Sequence, residues 1–345
     1  MSGPYCALTR EEVAYPAEYL GAYQPPPVEG APLPQTIRRS IRVKDVWIAE
    51  PNLKNCPFLI PYEKMRLSLN STLERIKALG GEEITFSNYI YFMDFEKPLL
   101  QSPSQVATSE ADLRYIVGKA DEMGIAMTLY LNLAPGDLKV SWEIPGEGWL
   151  ERLIDQWAVF VVDQAKLAEE TDIDAIMINH FDYQPGIGGF EGVCQTKMLE
   201  LLDRVRAIYS GQVLFVIEPG IGADLNKLSD LLDAVDAFIS TPYTSSLEIS
   251  ADKTVSVDNL KRLYSENINN IGVEFARFEK PFLLRVLIQS EKDFLIRGWN
   301  EDMFFIERSG DPCYLKNLTV DFSVQAVAME AILEAVSEVQ RGGQM

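Results

Sequence analysis

One histidine, His180, serves the whole 345-residue chain. That scarcity excludes any mechanism needing two imidazoles, and with it the ordinary histidine-rich metal sites. The four cysteines, Cys6, Cys56, Cys194 and Cys313, lie far apart with no paired spacing, so neither a zinc site nor a redox pair is expected. No metal and no cofactor is expected from these residues. Long apolar runs are missing too: nothing reaches 18 residues, which excludes a membrane-spanning helix from the expectation. Positive charge is the last deficit. The 31 Lys and Arg stand against 51 Asp and Glu, and the formal charge of -20 repels phosphate backbones and anionic lipid surfaces alike. Nucleic acid is therefore not an expected partner.

What is present suits a globular chain, 47% hydrophobic and 24% charged, long enough for one large α/β domain. Residues 1–40 carry Pro25, Pro26, Pro27, Pro32 and Pro34, which forbid helix and discourage central strands; they read as an extended leader. Residues 41–345 read as a single domain. Within it apolar positions three or four apart alternate with short apolar runs. Strands are expected at Val43–Ala49, Glu83–Phe92, Ile125–Leu131, Ala175–Asn179, Val213–Ile217, Ala237–Thr241 and Phe282–Leu287. Helices are expected at Tyr62–Leu79, Ser109–Met123, Trp149–Glu170, Gln195–Tyr209, Leu225–Leu232, Asp258–Phe275 and Asp321–Val339.

Seven such units imply parallel strands covered by helices. A doubly wound sheet would call for a phosphate-binding fingerprint. Gly186-Ile-Gly188-Gly-Phe-Glu191 begins like one but ends in Glu191 where glycine is needed. The expectation is an α/β (β/α)8 barrel, incomplete or with an atypical eighth unit, whose strand could come from the leader, from residues 294–318 or from beyond the C-terminus.

Barrel strands deliver functional groups from their carboxyl ends. The strand Ala175–Asn179 runs into His180 and Asp182, and the strand Val213–Ile217 into Glu218. With no second imidazole and no cofactor motif, paired carboxylates are the natural acid and base, so Asp182 and Glu218 are the candidate catalytic residues. Asp94 and Asp137 sit after two other strands, where acidic residues also serve as helix caps. Asn88, Tyr91, Asp94, Asn132, His180, Tyr183, Tyr243, Arg285 and Trp299 are candidate substrate-binding groups. Aromatic rings among them suit stacking on the C–H faces of sugars, with polar neighbours bonding hydroxyls. Tyr89 and Trp142 fall beside the same loops, whereas Trp47 and Trp157 lie on apolar faces and read as core. Arg285 interrupts an apolar strand and needs an anionic partner, either a barrel carboxylate or an acidic substrate group.

From about Arg66 to Val339 the order of motifs resembles glycoside hydrolase family 113, barrel enzymes related to β-mannanases. The resemblance rests on Ser71-Thr-Leu-Glu-Arg-Ile-Lys-Ala-Leu-Gly80, on Thr108–Arg114 leading to Ala120-Asp-Glu-Met-Gly-Ile125, and on Trp157–Asp174. Lys280-Pro-Phe-Leu-Leu284 and Val324-Gln-Ala-Val-Ala-Met-Glu-Ala331 complete it. It implies a barrel fold, a carbohydrate partner and a final helix that is the seventh of the ring. It also implies an acid/base glutamate where Phe181 stands and a nucleophile glutamate where Val286 stands. The expected function is a glycoside hydrolase of polysaccharides or oligosaccharides using Asp182 and Glu218, with a non-catalytic carbohydrate-binding barrel as the alternative. An extracytoplasmic setting is expected, although residues 1–10 lack a signal-peptide pattern.

Overall fold

The computed structural model describes residues 40–43, 70, 73–74, 76–78, 81–94, 97–101, 109–135, 145–179, 191–217, 229–240, 257–275, 278, 280–284 and 322–341. The proline-rich leader up to residue 39 and the sequence from residue 285 to 321 lie outside this set, and the last residue of the expected leader, Ser40, opens a strand.

Eight strands form one sheet. They are β1 (Ser40–Val43), β2 (Glu83–Asp94), β3 (Leu99–Gln101), β4 (Ala126–Pro135), β5 (Ala175–Asn179), β6 (Gln212–Val216), β7 (Ala237–Ser240) and β8 (Phe282–Leu284). Along the order β1-β2-β4-β5-β6-β7-β8 every neighbouring pair is parallel. The helices are α1 (Glu110–Glu122), α2 (Glu147–Glu170), α3 (Glu191–Arg206), α4 (Ser229–Ala234), α5 (Val257–Phe275) and α6 (Phe322–Arg341). Seven parallel strands curled with their helices make the barrel-type architecture expected from the alternation, with the ring open between β8 and β1 among the described residues. Helix α6 packs on α5, where Ala328, Ala331 and Ala335 let its backbone approach Leu260, Tyr264 and Ile268. Since α5 follows the sixth parallel strand, α6 takes the seventh helical position.

The sheet separates two cores by the alternation of its side chains. One face sends Ile84, Phe86, Leu129, Leu131, Ile176, Ile178, Val213, Phe215 and Phe238 into the helix layer, against the stripe Trp149, Leu153, Trp157, Phe160 and Val161 of α2. The other face sends Tyr130, Ala175, Met177, Leu214, Val216, Ala237 and Ile239 into the barrel interior. Local signals set the helix ends. Ser109 caps α1 by accepting the Asp112 N–H at 3.2 Å. At the other end Gly124 adopts φ +61, a left-handed conformation that closes the helix with bonds from Gly124 N to Asp121 O and Ile125 N to Ala120 O.

A repeated device pins the amino-terminal edge of the sheet. Asp174 precedes β5 and accepts the Met127 N–H of β4 at 2.8 Å; Asp236 precedes β7 and accepts the Val213 N–H of β6 at 2.7 Å. Both stand in the same local sequence, an aliphatic residue, Asp, then Ala. Each carboxylate takes up a backbone donor at the start of a ladder, which would otherwise be left unpaired in a partly buried place. Arg206 clamps the second of them at 2.6 Å.

Between α3 and β6 the chain turns tightly over Tyr209, whose hydroxyl donates to Ile173 O at 2.8 Å. A Cβ on Gly211 would come within 2.5 Å of Tyr209 Cζ and 2.9 Å of Asp174 O. Gly211→Ala is therefore expected to lose about 1–3 kcal/mol by overpacking. Urea denaturation of the variant, compared with the parent chain, measures it; an unchanged midpoint would show that the turn can shift.

Candidate functional site

The carboxyl end of the sheet is uneven. Pairing of β4 with β5 runs from Thr128–Ala175 to Leu131–Ile178, whereas β2 and β4 stay paired as far as Phe92–Pro135. These two strands therefore stand three to four residues, on the order of 10 Å, above the rim set by β5. The antiparallel strand β3 folds back on the raised part of β2, with a register shift between Phe92 and Asp94. It is fastened to α2, because Gln156 accepts the Leu100 N–H at 3.1 Å and donates to Pro98 O. One side of the mouth is thus a braced wall.

At the foot of this wall, side chains from three adjacent strands meet on the concave face. Tyr89 of β2 pairs in register with Asn132 of β4, and Asn179 of β5 donates from Nδ2 to Asn132 Oδ1 at 2.9 Å. All three are half-buried. Deeper in the interior, at the amino-terminal end of the same strands, Thr128 donates to the Glu83 carboxylate at 2.5 Å, and both side chains are buried, at 1% and 7% exposure.

Asn88 belongs to the opposite face. Its Nδ2 donates to Gln164 Oε1 of α2 at 2.9 Å and its Oδ1 accepts the Tyr89 N–H, so it faces the helix layer, not the interior that Asn132 faces. The same bond explains a polar residue, Gln164, in the middle of an apolar helix stripe. Tyr91 and Asp94 lie on the raised end of β2, Tyr91 opposite Ala134 and Asp94 opposite Leu99. Asp94 is thus within the strand, not after it. Asp182, Glu218, His180, Tyr183, Tyr243, Arg285 and Trp299 lie outside the described residues, as do Asp137 and Trp142. Asn179 was the residue missed by the candidate list. Its signal was an amide terminating an otherwise apolar strand.

Three of the described groups with displaced proton affinities, Tyr209, Lys280 and Asp121, sit at the other end of the sheet, where helices lead into strands. Burial pushes the Tyr209 hydroxyl well up, with Asp174 and Glu169 adding to it. Burial lowers Lys280, whose ammonium donates to the carbonyls of Leu232, Asp233 and Val235 at 2.8, 2.6 and 2.6 Å and so closes the end of α4. Asp121, largely exposed, is raised by its partial burial and by the neighbouring Asp174 and Asp172 carboxylates. These are marks of packing and helix termination, because chemistry in barrels collects at the carboxyl end. Among the described residues no group of three or more His, Cys, Asp or Glu could hold a metal ion. No helix of the described residues is long and apolar enough to cross a membrane.

Comparison with protein-family models finds no match, and comparison with curated proteins finds none. Comparison with solved structures does. A GH113 β-mannanase from Alicyclobacillus acidocaldarius, in complex with ManMIm, aligns with a TM-score of 0.58 at 16% identity over 77% of this chain and 76% of its own. A complex structure of a GH113 β-1,4-mannanase gives 0.56 at 14% identity over 79% of this chain and 78% of the other. A further GH113 β-1,4-mannanase structure gives 0.55 at 15% over 79% of each. The likeness is one of fold, and it agrees with the barrel expected from the sequence.

Asp121 ends α1 with its charge against the helix dipole and beside two carboxylates. Its raised proton affinity means the protonated form suits the fold, so the penalty is present at neutral pH and disappears as pH falls below the carboxylate range. Asp121→Asn is expected to stabilise the protein slightly at pH 7, by up to about 0.5 kcal/mol since the site is exposed. The gain should vanish near pH 3. Thermal melts of both proteins across that range test it, and a gain independent of pH would reject the electrostatic cause.

Proposed function

We propose that this chain is a glycoside hydrolase acting on a polysaccharide or oligosaccharide, with Asp182 as general acid and Glu218 as its partner carboxylate. The observation that carries the reading is the pairing of Asn179 with Val216, the last residues of β5 and β6. Asp182 follows the first by three residues and Glu218 follows the second by two. Adjacent parallel strands lie ~4.8 Å apart, and the reading requires the chain beyond these paired residues to hold the two carboxylates at the separation that glycoside cleavage uses. A gap of ~5 Å gives retention through a covalent intermediate, and one of roughly 6.5–9.5 Å admits a water and gives inversion. The fold likeness to β-mannanases supports a carbohydrate partner, with mannan the first substrate to try.

Each residue has a place in this scheme. The acid must keep its proton near neutrality while the partner stays ionised. Glu218 stands two residues beyond the interior-facing Val216, and in extended chain that spacing returns a side chain to the same face. His180, Tyr183, Tyr243, Arg285 and Trp299 are assigned to the same rim as sugar-contacting groups, with Tyr91 and Asp94 on the raised wall. An extracytoplasmic setting goes with a polymeric substrate.

A second reading, a carbohydrate-binding barrel without turnover, draws on Phe181 and Val286, which stand where the family resemblance expects glutamates. Release of reducing ends from mannan, glucans and acidic polysaccharides separates the two. The hydrolase reading expects product from one of them and at least about a 100-fold loss in Asp182→Asn and in Glu218→Gln. Product release untouched by both substitutions rejects the assignment, and sugar binding with no product from the parent chain transfers the protein to the second reading.

A further inference from the structure

One row of residues crosses the concave face at the level of the mouth: Tyr89, Asn132, Asn179, Val216, Ile239 and Leu283. The ladder pairings of Tyr89 with Asn132, Asn179 with Val216, Val216 with Ile239 and Ile239 with Leu283 fix it, together with the amide bond between Asn132 and Asn179. Its first half is polar and its second aliphatic. Val216 and Ile239 are closed off, at 0% and 2% exposure, whereas Tyr89, Asn132 and Asn179 are half-buried. Among the described residues the polar half, over β2, β4 and β5 and beneath the raised wall, is therefore the more accessible part of the row.

Within that half Asn132 is unusual. Its Oδ1 is occupied by Asn179 Nδ2, while its own Nδ2 has no partner among the described residues. An amide held by its oxygen cannot rotate its nitrogen away without breaking that bond, so two N–H donors are kept in place in a half-buried site. Donors fixed in place lose little further freedom when a ligand acceptor meets them. Among the described residues the row carries no charge, and the chain as a whole is at -20, which repels polyanions. A neutral hydroxyl oxygen meets such a donor without stranding a charge in the site.

We infer that Asn132 is a ligand-contacting donor that selects a neutral, hydroxyl-bearing segment of the substrate, and that Asn179 is the residue positioning it. The inference rests on the carbohydrate reading above. Asn132→Asp is the sharp variant, because a carboxylate still accepts from Asn179 Nδ2 but can no longer donate. Asn132→Ala removes the donor without adding charge. Titration calorimetry of the full chain with mannohexaose, cellohexaose and hexagalacturonate, beside a thermal melt of each variant, tests it. The parent chain is expected to bind a neutral hexaose, and both variants to weaken that binding at least about tenfold with the melting temperature held in Asn132→Asp. Unchanged affinity in both variants overturns the role of Asn132 and leaves the carbohydrate reading standing. Preference for hexagalacturonate overturns the neutral class. A parent chain that binds none of the three overturns the carbohydrate reading and this inference with it.

Discussion

The parallel ladder from β2 to β8, with side chains alternating between its two faces, is the constraint on which the rest of this molecule depends. Because neighbouring strands are held in register, the face taken by one residue decides the face taken by its partner on the next strand. That arithmetic divides the apolar residues into a helix-side core around Trp157 and an interior core around Met177 and Val216. It also decides which polar side chains can meet a ligand. Asn88 and Asn132 are amides on adjacent strands, one residue apart in the ladder, and they end up on opposite sides of the sheet.

The two ends of the barrel do different physical work. At the amino-terminal end carboxylates and cations are committed to the fold: Asp174 and Asp236 to backbone donors, Arg206 to Asp236, Lys280 to three carbonyls. At the carboxyl end the described interior groups are neutral amides and a phenol, with the Nδ2 donors of Asn132 left over among the described residues. A neutral lining of this kind binds by matching donors to acceptors, and binding then turns on geometry more than on charge.

The regular elements were legible in the sequence because their signals are local. The strand Ala175–Asn179 stands as expected, and α1 lies just inside the expected Ser109–Met123, whose two ends are its caps. Helix α4 is described at Ser229–Ala234, two residues past its expected end with residues 225–228 outside the described set, and β4 ran on to Pro135, since the apolar pattern fades gradually at both ends. The strand expected at Val43–Ala49 is described at Ser40–Val43, with residues 44–49 outside the described set. Strand β3 was not expected at all. Three residues beside a proline have no period of their own, and they form a strand only because β2 overshoots the rim and offers an edge. The candidate site was legible as a place, the strand ends, and much less as a set of residues. A list drawn by proximity to strand ends admits Asn88 as readily as Asn132, and face is a property of register, which a single strand does not reveal.

The paired aspartates before β5 and β7 act as indexing pins. Each captures one backbone N–H on the preceding strand, so slipping β5 by a single residue against β4 would tear the carboxylate of Asp174 from its donor. The same slip would turn Ile178 toward the cavity and bury the amide of Asn179 among the helices. Five residues of strand separate the pin from that amide, roughly 16 Å of extended chain. A carboxylate that never approaches a ligand therefore determines, from the far rim, whether the mouth of the barrel presents a hydrogen-bonding group or a hydrocarbon.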